Sequence, residues 1–98
     1  MKCEKFVREY LPSVRAALSK ELTSKGITQQ QAAERLYLTQ PAIAFYKRQS
    51  RGKKIADIAG NREAKEKISV LAARLFAKPI EREVLEREYC EFCRILIQ

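Results

Sequence analysis

Histidine is absent from this chain of 98 residues. Its absence removes the commonest acid–base catalyst and the commonest metal ligand together. No Gly-rich phosphate loop and no recognisable pair of carboxylates stands in for it, so an enzyme is not expected. Glycine and proline are also scarce, at three each, and long stretches lack the β-branched alternation that strands need. The fold class is therefore all-α, with five or six helices. No run approaches the roughly 20 apolar residues of a membrane span. The opening Met-Lys-Cys-Glu-Lys-Phe-Val-Arg-Glu is interrupted by charge too often for a signal peptide, so a cytoplasmic protein with no membrane partner is expected. There is no internal repeat, and the aromatic sheet signature of RNA-binding modules is missing.

What the chain has in excess is positive charge, +8 overall. Residues 1–56 carry 12 Lys+Arg against 4 Asp+Glu, whereas residues 57–98 carry 8 of each. All of the excess thus lies in the first part, as a phosphate-binding footprint would place it.

The apolar pattern divides the chain in the same way. Phe6, Val7, Tyr10, Leu11, Val14, Leu18 and Leu22 recur at helical spacing, which predicts one helix kinked at Pro12 or two that meet there. Gly26 supplies a left-handed stop. Thr28 and Thr39 each stand just before a helical pattern, where a hydroxyl can accept a bond from an orphan backbone N–H. Between them Ala32, Ala33 and Leu36 give a first short helix its apolar face, and small Ala33 permits a close crossing. Leu38, Ile43 and Tyr46 answer from the second helix, over 39–47. Its other face then presents Gln40, Pro41, Ala44 and Phe45. Lys47-Arg48-Gln49-Ser50-Arg51-Gly52-Lys53-Lys54 reads as a basic loop suited to straddle a nucleic-acid backbone.

Residues 28–47 therefore read as a helix-turn-helix, and Ile-Thr-Gln-Gln-Gln-Ala-Ala-Glu-Arg-Leu, then Leu-Thr-Gln-Pro-Ala-Ile, then Arg-Gly resemble the core pattern of the XRE family, the phage-repressor-like regulators. The resemblance covers roughly residues 12–58. It implies a sequence-specific regulator of transcription that binds double-stranded DNA with helix 39–47 in the major groove. Thr39, Gln40, Ala44 and Phe45 would face bases, and Gln29 a phosphate, joined in that role by Lys47, Arg48, Arg51, Lys53 and Lys54 from the basic segment. Two positions depart from the pattern. Tyr37 replaces the usual turn glycine, and since Tyr at positive φ is strained by about 1 kcal/mol, a slightly remodelled turn is expected. Phe45 stands where a small or polar reader is commoner.

After a short helix at 55–59, residues 62–77 and 80–97 form two amphipathic helices split by Lys78-Pro79. The chain thus reads as one compact domain, a core over 1–60 and a helical pair over 61–98. The stripe of Val84, Leu85, Tyr89, Phe92 and Leu96 is wide enough to serve a homodimer. Cys3, Cys90 and Cys93 leave three readings open. They are buried or incidental thiols, or ligands of zinc or an iron–sulfur cluster completed from elsewhere, or a disulfide involving Cys3. Other functions compatible with the sequence are an antitoxin-like protein-interaction module with secondary DNA binding, and a thiol- or metal-responsive regulator.

Overall fold

The computed structural model describes residues 4–48 and 53–97, the side chain of Lys53 excepted. The described residues form seven α-helices, one or two more than expected. They are α1 (Glu4–Glu9), α2 (Leu11–Ser24), α3 (Gln29–Leu36), α4 (Gln40–Arg48), α5 (Lys53–Ala59), α6 (Arg62–Ala77) and α7 (Arg82–Leu96). Pro12 decides between one kinked helix and two. It sits in the first turn of α2, where its missing N–H costs least, and the break falls at Tyr10.

Helix α2 is the axle, packed against α1, α3, α4, α5 and α6. Its inward residues Leu11, Val14, Leu18 and Leu22 are all buried. Ser19, the one polar residue fully buried among them, donates its hydroxyl to the Arg15 carbonyl at 2.7 Å, which makes its burial tolerable. Gly26 ends this layer at φ +108°, a conformation that side-chain-bearing residues avoid.

Local chemistry sets the next two helices. The Thr28 hydroxyl accepts from the Gln31 N–H at 3.0 Å, while the Gln31 side chain accepts from the Thr28 N–H at 2.9 Å, so α3 opens on a reciprocal capping box. It closes on Tyr37 in the left-handed region, φ 58° and ψ 42°, with the Leu38 N–H reaching back to the Ala33 carbonyl at 2.9 Å. The expected remodelling of this turn does not occur. Tyr37 accepts the strained conformation, and its hydroxyl donates to the Ile80 carbonyl at 2.5 Å, an offsetting contact that glycine could not make. The Thr39 hydroxyl then accepts from the Ala42 N–H at 3.2 Å and opens α4.

The C-terminal pair lies across this arrangement. Asn61 caps α6 through the Ala64 N–H at 2.9 Å. At the other end of α6 the Arg35 guanidinium, from α3, donates to the carbonyls of Leu75 and Phe76, satisfying groups that a helix end leaves open. Ala64, Ile68, Leu71, Ala72 and Leu75 of α6 are buried, and so are Leu85, Tyr89, Phe92 and Ile95 of α7. The residues expected at a dimer face lie here against their own chain. Leu85, Tyr89 and Phe92 close the chain's own core at 2%, 2% and 0% exposure, and Val84 and Leu96 pack partly buried against it. α7 packs chiefly on α6, and its Tyr89 reaches Arg15 of α2, so the stripe faces the chain's own helices, which periodicity alone does not distinguish from facing a twin.

Candidate functional site

Two short helices crossing on α2 create the exposed surface that best fits a binding role. α4 packs on α2 and α3, with Ile43 fully buried as its anchor. Tyr46 also turns inward and is half-buried; the Arg15 guanidinium donates to its hydroxyl at 3.3 Å and lies over its ring at 6.0 Å. The outer face is unspent. Gln40 and Pro41 are exposed, Ala44 is half-buried, and Phe45 is 48% exposed with its ring edge-on to Tyr46 at 5.7 Å. Among the described residues Val7, Tyr37, Val70 and Phe76 are the other large apolar side chains left exposed.

Lys47 and Arg48 end α4, where cations complement the negative pole of the helix. Neither forms an ion pair with another described residue. Gln29 occupies the first turn of α3, half-buried. Thr39 is exposed, but its oxygen already accepts the capping N–H, so it has chiefly its hydroxyl proton left to offer.

The basic segment is less of a loop than its composition implied. Lys47 and Arg48 belong to the last turn of α4, and Lys53 and Lys54 to the first turn of α5. Arg51 and the side chain of Lys53 lie outside the described residues. Lys54, expected at a phosphate, makes contacts within the chain. Its ammonium sits 3.4 Å from Glu9, 3.9 Å from Asp57 and 4.5 Å over the Tyr10 ring, tying α5 to α1 rather than reaching outward. Its hydrogen bond with Tyr10, reinforced by Glu9, raises its pKa above the ordinary lysine value.

Comparisons with protein-family models, curated proteins and solved structures return no match.

Cys90 is exposed and Cys93 half-buried against the core, while Cys3 lies outside the described residues. Among the described residues no group of three or more His, Cys, Asp or Glu side chains is placed to hold a metal. Sequence reasoning missed two residues that position the site, Arg15 and Arg35, and read Tyr37 as a turn residue without its tether. Arg15 joins α2 to Tyr46 and also lies over the Tyr89 ring at 5.7 Å. Arg35 and Tyr37 tether the α3–α4 corner to the junction of α6 and α7. No local signal announces any of them, because each partner lies 31 or more residues away in the chain.

Proposed function

We propose that this chain is a sequence-specific double-stranded DNA-binding regulator of transcription, built on an XRE-type helix-turn-helix of α3 and α4. The observation that carries the reading is the division of α4 into a buried face held by Ile43 and an outer face left to Gln40, Phe45 and the terminal cations. A helix so held can enter a major groove while its core packing stays intact. Gln40, near its start, can present a bidentate amide to adenine N6 and N7, and Phe45 can make apolar contact with thymine methyls. Lys47 and Arg48 would hold the flanking phosphates. The concentration of positive charge in residues 1–56, the part of the chain that contains α3 and α4, supports the same reading.

Selection of bound sequences from random double-stranded DNA tests this, and an enriched motif containing A·T pairs is the expected result. Gln40→Ala should then cost about 1–3 kcal/mol at the enriched site and little on random DNA, with thermal unfolding unchanged. No enrichment, or a variant whose ratio of specific to random binding is untouched, would remove α4 as the reader.

A further inference from the structure

A cleft of about 270 Å³ opens where α5 meets α2 and α6. The residues of α5 explain its origin. That helix has seven residues, and of its described side chains Ile58 alone is buried, so it lies across α2 and α6 on a single apolar anchor. Ile55 beside it is only half-buried. Short side chains line the junction, Ala16 and Ala17 from α2 and Ala59 from the end of α5. Alanines where three helices meet leave space that larger aliphatic residues would fill. Ile55, Ile58 and Ile68 complete the apolar wall, which among the described residues holds no aromatic ring on which a flat ligand could stack.

The mouth of the cleft is charged. Lys20 from α2 and Lys65 from α6 are exposed there and pair with no acid among the described residues. Glu21 lines it too, half-buried. Two ammoniums against one carboxylate leave the opening net positive, which favours an anion over a cation. An apolar pocket with a few polar groups at one end is the general form of a small-ligand site, and a dry apolar cavity of about 150 Å³ already holds benzene. We propose that this cleft binds an aliphatic monocarboxylate of medium chain length, its hydrocarbon among Ala17, Ala59 and the three isoleucines and its carboxylate at Lys20 and Lys65. The ligand supplies the apolar contact that α5 lacks along its inner side. Among the described residues none of α3 or α4 lines the cleft, so the site and the DNA-binding reading stand or fall separately.

The test titrates octanoate into protein with isotope-labelled isoleucine methyl groups, read by NMR at ionic strength held constant with chloride. Saturable shifts are expected at Ile55, Ile58 and Ile68, with Ile43 and Ile95 unmoved, at a dissociation constant of about 1 mM, the range open to a small ligand in an open cleft. Octanol, with the same chain and no charge, should bind about fivefold more weakly. Acetate, with the charge and no chain, should give no saturable shift. Lys20→Ala with Lys65→Ala should bring octanoate down to the level of octanol and leave octanol itself unchanged. Ala59→Leu, at an exposed position, puts a larger side chain into the cleft and should weaken both ligands by about tenfold or more while the variant stays folded. No saturable shift at the three isoleucines, equal affinity for octanoate and octanol, or equal shifts at Ile43 and Ile95 overturns the site. Unchanged octanoate binding in Ala59→Leu does so as well.

Discussion

The two parts of this chain handle charge in opposite ways. In α6 and α7 acids and bases meet each other. Lys67 and Arg74 converge on Glu88, while Arg62 pairs with Glu66, Arg82 with Glu86 and Arg94 with Glu91. In the earlier helices Lys54 alone among the described residues is paired in this way, with Glu9 and Asp57. The cations ending α4, half-buried Lys47 and exposed Arg48, pair with no acid among the described residues. Surface pairs contribute little stability individually, so the contrast bears on what each surface faces more than on how firmly each part folds. The C-terminal pair neutralises itself over a core it covers. The α3–α4 corner keeps its charge and its Phe45 outward.

The hardest test of that contrast removes residues 80–98. Five buried side chains go with them, Ile80, Leu85, Tyr89, Phe92 and Ile95. At about 1.5–3 kcal/mol each the loss is on the order of 10 kcal/mol, comparable with the whole stability of a small domain. The truncated chain should show no cooperative transition by circular dichroism. A folded monomer would mean that α7 is an accessory, as a dimerising helix would be.

Next in size is the effect of neutralising the end of α4. Lys47→Ala with Arg48→Ala should flatten the slope of log affinity against log salt by about 0.9 for each phosphate that is no longer neutralised. Neutralising two cations of α6, Arg62 and Lys65, should leave the slope as it was. Equal effects from both pairs would erase the distinction between the two surfaces.

Tyr37→Phe is expected to be milder. It keeps the left-handed strain and loses the bond to the Ile80 carbonyl, a loss of about 1 kcal/mol, which for a domain of this size lowers the melting temperature by about 4–8 °C. An unchanged melting temperature would show that the corner stands without its tether. The smallest effect lies on the acid side. Lys67, then Arg74, hold the Glu88 carboxyl below its ordinary value of 4.5. Its contribution is therefore complete above that value and fades as pH falls through the lowered one. Glu88→Gln should give a shallower acid limb in a plot of melting temperature against pH, and an identical limb would assign acid sensitivity to other groups.

Much of this architecture is legible in the residues. Asn61 before α6 and Lys78-Pro79 after it fix Arg62–Ala77 at the bounds that periodicity predicts, and the Thr28 capping box is a strictly local signal. The faces of α4 could be read in part, because Ile43 and Tyr46 fall three apart and Phe45 points away from them, whereas Gln40, also three from Ile43, is exposed at the first turn. What α7 covers could not be read, since an amphipathic stripe gives the width of a contact and not the owner of the other side. The composition of 47–54 concealed two helix ends in the same way. Lys54 reads as one more cation until Glu9 and Tyr10 are brought beside it by the packing of α1.

The Tyr37 tether has a further consequence, in the order of folding events. A glycine in this turn would let α3 and α4 meet through local interactions alone, quickly and early. With tyrosine there, the left-handed turn is strained until a carbonyl 43 residues away arrives, so part of its stabilisation waits on the closure of a long loop. The corner with the most local sequence signal in the chain is thus made conditional on its most distant partner. Tyr37→Gly should refold faster in stopped-flow measurements even where its equilibrium stability is no higher, and a refolding rate equal to that of the wild type would show that the turn forms without waiting.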